Sequence, residues 1–238
     1  MQALYNQLGK YFDVIASAST IDTEKEVEFL KAIFEKYLVH SVLDIACGTG
    51  RHSVPLAEAG FEVVGIDYAE ELLQVARTKA DLPNLHFIQQ DVTNITLDQE
   101  FDAAICMWST FGELPYKAML KGLKNVLKPK GIFVIDVNQY AEVPAGTSHK
   151  SYTNNANGMQ INTEIDESYR GITRIREITN VIDGETYKDH SEMDVFTEAD
   201  LIKLLAEYGF SHKETYYNYS PDKDLGAKRI QLVFEIQR

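Results

Sequence analysis

The sequence predicts an α/β fold: a doubly wound, mostly parallel sheet with an antiparallel β flap inserted after its fifth strand. Three observations predict it. Residues 42–51, V-L-D-I-A-C-G-T-G-R, pass from a buried-type apolar run into a Gly-x-Gly turn, and residues 52–59 then read as a helix ending at Gly60. Two acids, Asp67 and Asp91, follow the next two strand-like runs, residues 61–66 and 85–89. From about Gly158 the pattern changes to alternation, as in Ile161-Thr163-Ile165, and Asp183-Gly184 between two long runs is a type I′ hairpin signal.

Residues 1–38 read as helical and amphipathic. Asp22 or Thr23 can cap a helix that carries Val27, Leu30, Ile33, Phe34 and Tyr37 on one side. The first strand, residues 42–45, is apolar apart from Asp44, as suits a strand buried on both faces. Gly48 and Gly50 let a ligand approach backbone that a Cβ would shield, and the next helix start offers unpaired N–H groups. A dinucleotide fingerprint asks for G-x-G-x-x-G, whereas Ser53 stands at the third position here.

Asp67 is expected just beyond the second strand, where an acid about twenty residues after the glycine loop accepts hydrogen bonds from ribose hydroxyls. Tyr68 opens the next helix and Leu72 lies one turn on; both are placed to pack on an adenine or on the sheet. Asp91, with Val92 beside it, is either a ligand for a base or a turn cap. The fourth strand, residues 101–106, leads into Met107-Trp108-Ser109-Thr110, where Trp108 is expected as a pocket wall. A helix over residues 115–127, a stop at Pro129-Lys130-Gly131 and a fifth strand over 132–137 follow, with Asn138 just after it.

Residues 138–196 form the insert, read as three or four antiparallel strands. Covering the site and providing a dimer edge are both open roles for it. Thr197-Glu198-Ala199-Asp200 is a capping box whose helix closes at Gly209. Two strands, residues 211–219 and 229–236, finish the chain as a hairpin joined by residues 221–224.

Several of these features together resemble the class I S-adenosylmethionine-dependent methyltransferases. They are the apolar-apolar-Asp-x-x-x-Gly-x-Gly pattern around Asp44, the acids Asp67 and Asp91, the leader L-K-N-V-L-K-P-K-G-I-F-V-I-D and the terminal hairpin. The opening L-Y-N-Q-L-G-K-Y-F-D also resembles the N-terminal segment of small-molecule members. The resemblance implies S-adenosylmethionine as cofactor, held by Tyr11, Asp44, Ala46, Gly48, Gly50, Arg51, Asp67, Tyr68, Leu72, Asp91, Val92 and Met107. It places Tyr5, Trp108, Ser109, Asn138 and Tyr140 around the substrate. It divides the chain into a cofactor-binding part, residues 1–137 and 197–238, and a capping flap, residues 138–196. Members that methylate DNA or protein glutamine carry an Asn-Pro-Pro-Tyr-like tetrapeptide where this chain has Met-Trp-Ser-Thr. The acceptor implied is a small molecule, an amine nitrogen first. The alternatives are a non-catalytic S-adenosylmethionine-binding regulator and an NAD-linked oxidoreductase. His149, His190, Glu113 and Tyr140 are candidate bases, and none is assigned; no metal site is expected.

Composition narrows the partners. A formal net charge of -13 over 238 residues repels phosphate backbones, which argues against nucleic acid. No signal peptide or membrane-length apolar run is visible, so no membrane partner is expected. The two cysteines, Cys47 and Cys106, fall in or beside strands and are expected as buried free thiols, which favours the cytoplasm. A monomer and a homodimer are both compatible with the sequence.

Overall fold

The computed structural model describes Asp13, residues 22–156 and residues 158–238. Two sheets organise them. A seven-stranded sheet has the order β10-β11-β5-β4-β1-β2-β3, and a four-stranded antiparallel sheet has the order β6-β7-β8-β9.

Helix α1 (Thr23–Lys36) starts where Asp22 accepts a hydrogen bond from the Lys25 N–H, and it buries Val27, Phe29, Leu30, Ile33 and Phe34. Strands β1 (Ser41–Ile45), β2 (Glu62–Asp67), β3 (Leu85–Gln89), β4 (Phe101–Cys106) and β5 (Leu127–Asn138) alternate with α2 (Ser53–Glu58), α3 (Glu70–Lys79) and α4 (Tyr116–Val126). All four pairings among these strands are parallel. Successive residues of one strand enter opposite cores. Leu43, Ala104, Phe133 and Ile135 pack with α4, whereas Val42, Ile105, Ile132 and Val134 pack with α1 and α2. Fully buried side chains such as Phe34 and Phe133 would each cost about 3–5 kcal/mol if cut to alanine.

The chain then leaves the sheet for β6 (Thr147–Ala156), β7 (Met159–Arg170), β8 (Thr173–Ile182) and β9 (Glu185–Asp194), a meander of three hairpins. Asp183 (φ 52°) and Gly184 (φ 83°) are both left-handed, the requirement of a type I′ turn. Helix α5 (Glu198–Glu207) has the reciprocal Thr197–Asp200 capping box. Strands β10 (Phe210–Tyr217) and β11 (Arg229–Ile236) close the sheet, β11 antiparallel to both β10 and β5.

Four expectations need correction. Asp67 is the last residue of β2 rather than the residue beyond it. The sequence stop at Pro129-Lys130-Gly131 is a bulge inside β5: Phe101 pairs with Leu127 and Ala103 with Ile132, and Lys130 (φ 63°) turns the chain out between them. The flap begins at Thr147, before the alternation becomes legible, because β6 is an edge strand with mostly exposed, polar residues on both faces. The terminal hairpin has a longer connection than residues 221–224, since β10 ends at Tyr217 and a Tyr217–Ser220 bridge tightens the turn.

Candidate active site

The C-terminal edge of the parallel strands carries the glycine loop. Gly48 (φ 56°) and Gly50 (φ 74°) both take left-handed backbone, and a Cβ on Gly50 would sit 2.7 Å from Phe87 Cζ. Ala46 (φ 56°) is left-handed as well, one residue after β1. Asp67 fixes the loop from the neighbouring strand: its Oδ2 accepts from the Gly48 N–H at 2.9 Å and its Oδ1 from the Ala69 N–H at 2.8 Å. Burial pushes the Asp67 carboxyl upward against those donors. Each oxygen keeps a lone pair for a further hydroxyl.

Asp44 is the acid that precedes the glycine loop. It lies inside β1 at 2% exposure, and Ser53 Oγ donates to its Oδ2 at 2.6 Å. Burial raises its pKa, opposed by His52, the Ser53 hydrogen bond and Arg51. Ser53 is itself fully buried. The residue that breaks the dinucleotide fingerprint is therefore the partner of the acid that marks the other pattern. In this structure Asp44 clamps β1 to α2.

Arg51 departs from the expected role. Its Nη1 donates to Glu26 Oε2 at 2.5 Å and to Thr23 Oγ1 at 2.9 Å, and its guanidinium lies over the Trp108 ring at 5.5 Å. Glu26 is 2% exposed and also meets His52 Nε2 at 2.8 Å and the Tyr219 hydroxyl at 3.1 Å. Burial alone would raise its pKa, but His52 and Arg51 outweigh it and hold the carboxyl at about 2.

The end of β4 is the strained part of the site. Trp108 (φ 60°) and Ser109 (φ 64°) are consecutive left-handed residues, each costing about 1–3 kcal/mol. Asp136 on β5 holds them: its Oδ2 accepts from the Trp108 N–H at 2.9 Å and its backbone carbonyl from the Ser109 N–H at 2.7 Å. Ser109 Oγ accepts in turn from the Asn138 N–H at 3.0 Å. Asp136 has no exposed surface and is the acceptor for Arg229 Nε (3.0 Å), Arg229 Nη2 and Gln231 Nε2 (2.8 Å).

The remaining residues singled out in the sequence fall into four groups. Val92 and Met107 are buried beside the edge, and Tyr68 is 49% exposed at its rim. Leu72, at 3% exposure, is covered by protein rather than open as a wall, and Asp91 is an exposed turn cap whose Oδ1 accepts from the Thr93 N–H at 2.8 Å. Tyr5 and Tyr11 lie outside the described residues. His149 and His190 are exposed on the flap, paired with Asp166 and with Glu177 and Glu192.

The flap is tied down over the β4 and β5 ends. Asp194 accepts from Tyr116 OH at 2.9 Å and Thr173 Oγ1 at 2.8 Å, and Ser191 Oγ donates to Glu113 at 3.3 Å. A Cβ on Gly112 would stand 2.1 Å from the Asp194 carbonyl oxygen. A cavity at this junction is lined by Ser109, Asn138, Tyr140, Met193, Asp194 and Phe196, among others.

Residues 42–131 match a protein-family model described as a methyltransferase domain. YqeM, a protein of Bacillus subtilis (strain 168) assigned as a methyltransferase, is 30% identical over 210 residues, covering 83% of each chain. The chain belongs to the S-adenosylmethionine-dependent methyltransferases. The glycine/sarcosine N-methyltransferase of Parasynechococcus marenigrum (strain WH8102) is 28% identical over 209 residues, 84% of this chain and 73% of that one. The fold matches that of an S-adenosylmethionine-dependent methyltransferase from Clostridium acetobutylicum ATCC 824, with a TM-score of 0.81, 20% identity and 98% of both chains covered. The methyltransferase is thus an enzyme of this class with S-adenosylmethionine as its cofactor.

The motif-based reading passed over a group of polar residues beside the candidate site. Glu26, His52, Tyr219, Arg229 and Gln231 form the buried polar network around the Trp108 turn. One of them had a visible signal: Glu26 sits three, four and seven residues before Phe29, Leu30 and Ile33, so it interrupts the apolar stripe of α1. Among the described residues no cluster of His, Cys, Asp and Glu is placed to hold a metal ion.

Proposed function

We propose that this methyltransferase transfers the methyl group of S-adenosylmethionine to the nitrogen of a small amine. The observation that carries the proposal is the closure of the β4 and β5 ends by the flap. Ser109, Asn138 and Tyr140 line the small cavity at this junction, where a small acceptor would meet them. The glycine/sarcosine N-methyltransferase relative supports nitrogen as the atom methylated. The net charge of -13 disfavours nucleic acid as acceptor.

The cofactor supplies an electrophilic methyl carbon on a positively charged sulfur. The chain's share is orientation and exclusion of water, effects that reach roughly 7–11 kcal/mol in well-aligned cases. Asp67 would accept from the ribose hydroxyls, and the Gly48–Gly50 backbone, Ala46, Met107, Tyr68 and Val92 would line the rest of the cofactor site. Arg51 serves the site through Trp108 and Glu26 rather than by direct contact. With the cofactor bound, the chain would hold the amine with its lone pair towards the methyl carbon, and the product ammonium would shed its proton to solvent. A neutral incoming amine needs no dedicated base. No helix among the described residues is long and apolar enough to cross a membrane, and Cys47 and Cys106 are buried free thiols. Both support placement in the cytoplasm.

Labelled-methyl assays over amines, amino sugars and phenols test the reaction, and calorimetry with S-adenosylhomocysteine tests the site. Asp67→Ala should weaken that binding by about 1.5–3 kcal/mol, the value of hydrogen bonds to a charged group. Methylation of phenols with amines inert would refute the nitrogen assignment.

A further inference from the structure

We propose that Arg174 and Arg176 on the flap form an anion subsite that recognises a carboxylate or phosphate carried by the acceptor amine. The inference rests on the amine methylation proposed above and names the chemistry of the acceptor's far end.

Strand register places the two arginines on one face. Arg174 pairs across the sheet with Tyr169 and Met193, and Arg176 with Glu167 and Ser191. Residues two apart on a strand share a face, so all six side chains line the same surface. Arg174 is deeply buried, its side chain 7% exposed. Its Nη1 donates to the Tyr140 hydroxyl at 3.0 Å and its Nη2 to the weak acceptor Met193 Sδ at 3.5 Å. Tyr140 and Met193 are walls of the cavity that also contains Ser109 and Asn138. The arginine therefore backs two walls of that cavity.

Each guanidinium keeps one donor unsatisfied, although Glu113 as well as Glu167 offsets the charge of Arg176. The Nε atoms of Arg174 and Arg176 are buried without a hydrogen-bond partner. Among the described residues the only carboxylate in ion-pair range is Glu167, at 3.8 Å from Arg174 Nε and 4.0 Å from Arg176 Nε. Both distances are too long for hydrogen bonds. Burying such donors without acceptors is costly, and a guanidinium offers a fork of donors matched to the two oxygens of a carboxylate or phosphate. A structural pair would be expected to close on Glu167 in bidentate geometry. The gap of nearly 4 Å instead leaves the donors for an anion entering through the cavity.

The test uses the full chain saturated with S-adenosylhomocysteine, so that the subsite is read by binding whether or not methyl transfer follows. Trp108 is the only tryptophan and precedes the cavity-lining Ser109 in the chain, so its fluorescence is the binding signal. The probes are pairs of amines that differ only in the anion: glycine against glycinamide, and an amino-sugar phosphate against the free amino sugar. One member of the anionic set should bind roughly ten- to a hundredfold more tightly than its neutral partner, and which pair shows the difference separates carboxylate from phosphate. Arg176→Gln, which removes no hydrogen bond of the described chain, should erase that difference and leave S-adenosylhomocysteine affinity unchanged; Arg176→Lys should restore part of it. Equal binding within both pairs overturns the subsite, as does an anion preference that survives Arg176→Gln. A preserved preference in wild type without methylation of any amine would sink the proposed reaction and leave the subsite standing.

Discussion

Replacing Asp136 by alanine tests the site at its most connected atom pair. The carboxylate is fully buried and accepts from the Trp108 N–H, Gln231 Nε2 and two nitrogens of Arg229. Breaking a buried ion pair from one side costs about 3–5 kcal/mol, because the surviving charge stays buried. Arg229 keeps Asn138 Oδ1 at 3.3 Å and a side chain 20% exposed, so the lower half of that range, about 3–4 kcal/mol, applies. For a chain of this size each kcal/mol moves the midpoint by about 2–4 °C, giving a fall of roughly 6–16 °C. Thermal unfolding by circular dichroism, checked for reversibility, measures it. The double variant Asp136→Ala/Arg229→Met removes both charges and should recover at least half of the loss. The same substitution frees the left-handed Trp108-Ser109 turn, so methyl transfer should fall at least about tenfold while S-adenosylhomocysteine binding changes little. A single variant that loses less than about 1 kcal/mol, or a double variant no more stable than the single, would refute the reasoning.

Three further outcomes follow from the geometry. Ser53→Gly completes a literal G-x-G-x-x-G but strips the hydrogen bond from buried Asp44; we expect a loss of about 1.5–3 kcal/mol in denaturant titrations and no NAD binding by calorimetry. Gly112→Ala puts a Cβ against the Asp194 carbonyl and should lower turnover with cofactor affinity intact; unchanged kinetics would mean that the flap does not rest on this turn in solution. Glu26 has a folded pKa of about 2 against an ordinary 4.5, so its contribution of about 3 kcal/mol is present above pH 4.5 and lost as the pH falls towards 2. Buried Asp44 and Asp67, whose pKa values are raised, oppose this trend, and Glu26→Gln should flatten the acid limb of a stability-pH curve.

The parallel half of the fold was legible because its signals are local. Each strand is an apolar run of near-uniform character, and each turn carries its own glycine, acid or cap, so β3 and β4 fall at the expected residues. β6 was not legible at its start, since an exposed edge strand has no face that must be apolar. The candidate site divides in the same way. Gly48, Gly50 and Asp67 sit in sequence windows whose spacing marks them as candidates. Arg174 and Arg176 look like ordinary polar positions of an alternating strand. Only the register against Glu167, Ser191 and Met193 shows that their face is buried. The Arg51 contact was not legible for a related reason: its partner, Glu26, is 25 residues away and on another element.

The terminal hairpin explains why the polar network exists at all. β11 runs antiparallel to β5, so β11 begins where β5 ends: Arg229 pairs with Asn138 and Ile230 with Val137. β10 is antiparallel to β11, and Tyr217 at its end pairs with Ile230 at the same edge. The connection from Asn218 to Lys228 is thereby returned to the C-terminal edge of the parallel strands, beside the glycine loop. A sheet that continued with parallel strands would reach that edge only at strand ends followed by crossover helices. Here it delivers Tyr219, bonded to Glu26 on α1, and Arg229, bonded to Asp136 under the Trp108 turn. The antiparallel ending therefore does more than distinguish this sheet from a nicotinamide-type one. It brings in the residues that connect the glycine loop, through Glu26 and Arg51, to the strained Trp108-Ser109 turn.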